Sequence, residues 1–182
     1  MNHYRREFLK TAAAAGALGL APEAGSAGEQ SSKELATKLD KVWAAPVLRT
    51  SLIKQPVKIA SLELLKTGKH FLVRARSTDG AEGLSVCHTP VVTNTYPILV
   101  NKVLPSFVGR DARELETLLT GVYLKDSNYK WQGLPFWVSV ACAEIAILDL
   151  LGKVAGKPLG ELFGSVIKKD IAVYRASGNR GN

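Results

Sequence analysis

From Val57 onward apolar residues recur at every second position, and that period of two predicts strands. Val57 and Ile59 keep one phase while Leu62 and Leu64 keep the opposite one, so a kink or bulge near Ala60 is needed to hold a single face buried. Thr67-Gly68 turns the chain. Phe71, Val73 and Ala75 then point one way and Arg74 and Arg76 the other, which suits a sheet wet on one face. Asp79-Gly80 signals a hairpin, because both central positions of that turn tolerate positive φ. A short strand over Leu84 to Cys87 completes a three-stranded antiparallel meander.

The period then lengthens to that of helices. Tyr96 to Leu104 is apolar and stops at Pro105. Asp111-Ala112-Arg113-Glu114 reads as a capping-box start, and Leu115, Leu118, Leu119 and Val122 trace one stripe behind it. Pro135 fits a first helical turn. The stretch from there to Ala155 is apolar almost all round, which predicts a central, buried helix stopped by Gly156 and Pro158. A further turn, Leu159 to Phe163, leads to Ile171–Ser177, whose alternation predicts one more strand. The fold class is therefore α+β: a three-stranded antiparallel meander, a helical bundle, and a last strand with no partner following it.

Ahead of the meander, residues 28–55 form a polar lead-in. Ser31-Ser32-Lys33-Glu34 has the form of a capping box, and Leu35, Leu39, Val42 and Trp43 fall on one stripe, so a short docked helix is expected before Pro46 and Pro56. Residues 1–27 read differently. Arg5-Arg6, Phe8-Leu9-Lys10, a weakly apolar run from Thr11 to Ala21 and small residues near Ala27 resemble a twin-arginine export signal, which implies a periplasmic or extracellular destination. The run is far short of the ~20 residues that span a bilayer, so no stable membrane span is expected once the signal is removed.

With 46% hydrophobic and 22% charged residues the composition is that of a globular protein. The net charge is +8; removal of the signal takes away three basic and two acidic residues and leaves +7. The basic residues are scattered among apolar and acidic neighbours, the pattern of a solvated surface, and no nucleic-acid partner is expected. An exported, non-catalytic domain that binds an anionic partner is the alternative reading of that charge. Cys87 and Cys142 are the only cysteines. An oxidising compartment would permit a bridge, but both read as small core hydrophobes.

Four stretches carry a resemblance: "FLVRARSTDGAEGLS", "LPSFVGRDARELE", "VSVACAEIAILDLLGKVAGKPLGELFG" and "IAVYRASG". Together they are similar to the enolase superfamily, in its mandelate racemase and muconate-lactonizing branch. The resemblance implies an N-terminal capping domain over residues 56–166 and, over 167–182, the start of a truncated (β/α) barrel whose first strand is Ile171–Ser177. A complete barrel needs roughly 250 residues. It also implies a Mg²⁺-dependent enzyme that removes a proton α to a carboxylate: a sugar-acid dehydratase, racemase or cycloisomerase, acting on a small carboxylate or sugar acid and expected as a homo-oligomer. In such enzymes the metal ligands and the base lie on later barrel strands, so no catalytic or metal residue is carried over and the 182 residues by themselves are expected to be inactive.

The capping domain's implied role is to close loops over the barrel mouth, exclude water and select the distal part of the substrate. The loop expected after the third strand runs from His88 to Tyr96, and His88, Thr89, Asn94 and Tyr96 are its candidate substrate contacts. The loop between strands one and two, near Lys66 to Lys69, is too short for a good lid. His3, His70 and His88 lack metal-ligand spacing. Glu144 and Asp149 stand about 140° apart on a helix and are expected to pair with Lys or backbone rather than to converge on an ion.

Overall fold

A computed structural model describes residues 27–173; the twin-arginine-like residues Arg5, Arg6, Phe8, Leu9 and Lys10 lie outside them. Helix α1 (Ala27–Ala44) leads through a 3₁₀ turn at Thr50–Leu52 into β1 (Ile59–Thr67), β2 (His70–Ser77) and β3 (Glu82–Val86). Then come α2 (Thr89–Ile98), α3 (Leu115–Leu124), α4 (Leu134–Ala155) and α5 (Leu159–Phe163). This is the α+β architecture expected from the alternation.

The strands lie in the order β1-β2-β3, antiparallel throughout. The phase change in β1 is a register irregularity between Ile59 and Ser61, which lets Ile59 and Leu62 both reach the core. Gly68 and Gly80 take the positive φ (56° and 88°) that their turns require. On the outer face Arg74 pairs with Glu63 at 2.6 Å and Arg76 with Glu82, each directly across the ladder. On the inner face Val73 and Ala75 are fully buried beneath α4.

Helix α4 is the centre of the molecule. Phe136, Ala143, Ala146, Ile147, Leu150 and Leu151 are fully buried against the sheet and the other helices. By length and composition it could cross a membrane, but this face forms the domain's own core. Its far side is not buried as expected: Trp137, Ile145 and Val154 are exposed. Gly156, left-handed at φ 61°, ends it, and the Lys157 N–H bonds back to the Gly152 carbonyl at 2.9 Å.

Two expectations are corrected at the front and middle of the chain. Helix α1 starts at Ala27, so Ser31–Glu34 lie within it rather than at its cap. It is not docked either, because Leu35, Leu39, Val42 and Trp43 are all exposed; good helix formers sustain it without a packed face. Docking begins only after it, where the Val47 and Leu48 N–H groups both donate to Glu116 Oε1 at 2.8 Å and the Arg49 N–H donates to the Leu162 carbonyl at 2.7 Å. The second correction concerns α2. It begins at Thr89 rather than near Tyr96, with Pro90 in its first turn. Pro97, inside it, cannot donate to the preceding turn, and the backbone widens into a π turn over Leu99–Val103.

At the other end Ile171–Val173 are exposed and join no strand, and the described part of this segment is no fourth member of the meander. The remainder of the expected strand lies outside the described residues.

Candidate functional site

The connection from β3 into α2 holds the four candidate contacts, and the local sequence decides how they are displayed. His88 is the N-cap residue of α2, extended at φ −69° and ψ 93°, with an exposed side chain that makes no capping bond. Thr89 and Pro90 open the helix. The stretch expected as a loop is thus a rigid helical turn, and helical geometry separates the four side chains. Thr89 and Tyr96 stand seven residues apart, two turns up the same face and about 10 Å along the axis. Asn94 falls about 140° away from Thr89. Its Nδ2 donates to the Pro90 carbonyl at 3.1 Å, so its amide is turned back onto its own helix. Tyr96 is half exposed, at 50%. Thr89 and Tyr96 therefore share one face, His88 stands at the head of the helix, and Asn94 lies outside that face.

Two hollows among the described residues lie elsewhere. One hollow of about 530 Å³ lies between Thr50–Lys54 and Asp111–Glu114. Another, of about 480 Å³, lies between Leu84 and the C-terminal half of α4. Neither includes His88, Thr89, Asn94 or Tyr96. A ligand on this face would need a second wall from elsewhere.

The two acids of α4 part company. Asp149 Oδ2 accepts from the Leu84 N–H at 2.8 Å and from Lys153 Nζ at 2.7 Å, so it pairs with both backbone and lysine and closes part of the exposed edge of β3. Burial would raise its carboxyl, but the bonds from Lys153 and Leu84 outweigh burial and hold it below the usual range. Glu144 differs. Burial alone pushes its carboxyl above the usual range, with no cation or N–H from the described residues to offset it. The expected pairing with Lys or backbone is met by Asp149 and not by Glu144.

A carboxyl raised by folding favours the folded state at low pH and loses that advantage as pH rises through its folded value. Glu144→Gln is therefore expected to raise the thermal midpoint at pH 7, with the gain vanishing as pH falls toward 4. A midpoint unchanged or lowered at pH 7 would contradict the unpaired charge.

The end of α3 and the head of α4 form an aromatic cluster that the sequence alone does not single out. Tyr123 stacks on Trp137 with ring centroids 5.5 Å apart, and Phe136 meets Trp137 edge-on at 5.1 Å. Tyr129, with its ring centroid 6.4 Å from that of Tyr123, is exposed, as is Trp131 further along the same segment. The signal for the cluster was the i, i+1 aromatic pair at the head of α4, which places one ring in the core and the next on the surface. Among the described residues no group of three or more His, Cys, Asp or Glu side chains is placed to hold a metal ion.

A three-stranded meander covered by one long apolar helix, with polar side chains at the β3–α2 junction, defines an α+β domain of two layers. Residues 43–164 match the family described as mandelate racemase / muconate lactonizing enzyme, N-terminal domain, and the chain belongs to that family within the enolase superfamily. Among curated relatives it is 33% identical to a D-mannonate dehydratase of Sphingomonas sp. (strain SKA58) over 76 residues, 42% of this chain and 18% of that protein. It is 25% identical to a D-galactonate dehydratase family member of Paenibacillus sp. (strain JDR-2) over 128 residues, 68% of this chain and 31% of that protein. The chain thus spans under a third of the length of these relatives. Among solved structures, a mandelate racemase/muconate lactonizing protein from Paracoccus denitrificans Pd1222 superposes with a TM-score of 0.55 at 22% identity, covering 62% of this chain and 31% of that one. The protein of that description and strain complexed with magnesium gives 0.53, also at 22%, over the same shares.

Proposed function

We propose that this chain is the capping part of a Mg²⁺-dependent enzyme that removes a proton α to a carboxylate, of the sugar-acid dehydratase, racemase or cycloisomerase kind, exported by the twin-arginine route. The observation that carries the reading is the family match over residues 43–164. The two dehydratase relatives favour a sugar acid as substrate, and the magnesium complex of the Paracoccus protein favours that metal for the whole enzyme.

The described residues do not themselves fit a magnesium site. The acids of α4 diverge, Asp149 is already engaged by Leu84 and Lys153, and no third carboxylate joins them. No step of the chemistry is therefore assigned to this chain. Its part is to position and exclude: His88 offers a ring donor or acceptor, Thr89 a hydroxyl, and Tyr96 an aromatic face with a hydroxyl. Thr89 and Tyr96 sit on a short helix, and His88 at its head, with the fully buried Val92 and, at its end, Leu99 anchoring it. Such a face recognises a hydroxylated acid chain once a second domain supplies the opposite wall and displaces water.

Two measurements test this. Incubated with Mg²⁺ and a panel of sugar acids in D₂O, the 182-residue chain should put no deuterium at the α carbon, whereas a chain continued through a downstream barrel should do so. Exchange by the 182 residues alone would overturn the assignment of the chemistry to other strands. A reading frame that closes at Asn182, with no downstream Lys-x-Lys segment and spaced acids, would overturn the enzyme reading as a whole.

A further inference from the structure

Helix α4 turns one side away from the core. Leu134, Trp137, Ala141, Glu144 and Ile145 fall within about 100° of one another around its axis. Leu134, Trp137 and Ile145 are 64%, 45% and 49% exposed, so this side presents large apolar side chains to solvent over about three turns. Ile145 also forms one wall of the hollow of about 480 Å³, which Leu84, Leu148, Gly152 and Leu159 line with it.

The charges on this side are matched with one exception. Beside the hollow, Lys153 Nζ pairs with Asp149 at 2.7 Å and Lys157 Nζ with Glu161 at 3.0 Å. Glu144 is partly buried, and among the described residues it makes no hydrogen bond and no ion pair. A carboxylate screened from water by apolar neighbours costs stability until a cation reaches it.

We propose that the outer side of α4 is a docking surface for the residues that follow this domain in a longer enzyme, which seat apolar side chains against Trp137 and Ile145 and bring one arginine or lysine to Glu144. The inference rests on the reading that such an enzyme contains this chain. Charge complementarity selects the partner: a wholly apolar or acidic surface would bury Glu144 unpaired, whereas a cation offsets its desolvation, and the planar fork of an arginine can hold both carboxylate oxygens. Burial of the apolar side chains adds the non-directional part of the attraction. More than two thirds of the length of the two dehydratase relatives lies outside the part matched by this chain, which leaves ample polypeptide to supply that surface.

The test compares the 182-residue chain with a chain continued through the downstream domain, each as parent and as Glu144→Gln. At pH 7 the substitution should raise the thermal midpoint of the short chain and lower that of the continued one, because only there does it remove an ion pair. Carbodiimide with glycine ethyl ester should modify Glu144 about ten-fold or more slowly in the continued chain, read by peptide mass. Ile145→Asp should restore that labelling. A shift of the same sign in both chains, or equal labelling, would overturn the proposal; so would labelling of the short chain that falls as its concentration rises, which would assign the surface to a second copy. Deuterium exchange at the α carbon by the continued parent, with no change of sign, would sink the docking surface and leave the enzyme reading standing. A change of sign without exchange would do the reverse, and a reading frame closing at Asn182 would remove both.

Discussion

Gly83→Ala is expected to cost about 3 kcal/mol or more of folding stability, the upper end of what overpacking does, and so to lower the thermal midpoint by roughly 6 to 12 °C. Gly83 lies in β3 opposite Ala75 and directly under α4. A Cβ built there would sit 2.1 Å from the Ala146 carbonyl oxygen and 2.3 Å from the Leu150 nitrogen. Both are backbone atoms of a helix, so no rotamer change makes room and the strand must lift away from α4. Because β3 and α4 share the core with Val73, Ala75, Ile147 and Leu150, a lift would open the interior of the domain. Gly121→Ala is the matched control. Gly121 sits in α3 with nothing near its missing Cβ, and alanine there should raise stability by about 0.5–1 kcal/mol through helix propensity. Equal midpoints for the two variants would show that β3 does not approach α4 as described.

That close approach was not legible in the sequence. "EGLSV" shows a glycine in a short strand, and nothing in its neighbours says that a helix backbone crosses above it. What was legible were features decided by local chemistry. Alternation placed β1 and β2 and the bulge between Ile59 and Ser61, Asp79-Gly80 placed the hairpin, and an apolar run closed by Gly156 placed α4. Tertiary choices were not legible. The stripe on α1 looks like any docked face, yet Leu35 and Leu39 stand in solvent, because periodicity shows which side would pack and not whether a surface is there to receive it.

The candidate site shows the same division. His88, Thr89, Asn94 and Tyr96 were chosen as polar and aromatic residues of a loop, where any of them could turn toward one ligand. Pro90 in the first turn was the signal for a helix, and a helix fixes their bearings: Thr89 and Tyr96 together, Asn94 turned back to Pro90. The resemblance supplied the fold and the kind of chemistry, since those reside in long motifs such as the "AEIAILDLLGK" stretch of α4. It could not show that Glu144 and Asp149, within one motif, occupy opposite electrostatic settings.

Asp111 is the residue where a local signal turns out to carry a long-range load, and Asp111→Ala is expected to cost about 2–3 kcal/mol. As the sequence indicated, it caps the turn leading into α3, with Oδ1 accepting from the Arg113 N–H at 3.0 Å. The same oxygen also accepts from the Val57 N–H at 3.1 Å, and Lys58 and Asp111 form a bridge beside β1, so one carboxylate ties the start of the sheet to the start of α3. Arg113 Nη2 reaches its other oxygen at 2.7 Å. Burial would raise this carboxyl, but the bonds from Arg113 and the N–H of Val57 outweigh burial and hold it below its ordinary value of 3.8. A carboxyl lowered by folding contributes its stability in full above the unfolded value, near pH 4, and loses it as pH falls through the folded value. The parent chain should therefore lose stability below about pH 4 more steeply than Asp111→Asn, which keeps an acceptor for Val57 and Arg113 but carries no charge to neutralise. Urea titrations at pH 7 and at pH 3 measure this directly. The gap between parent and Asp111→Asn should be wide at pH 7 and narrow at pH 3; a gap of the same width at both would show that the charge of Asp111 does not hold these elements together.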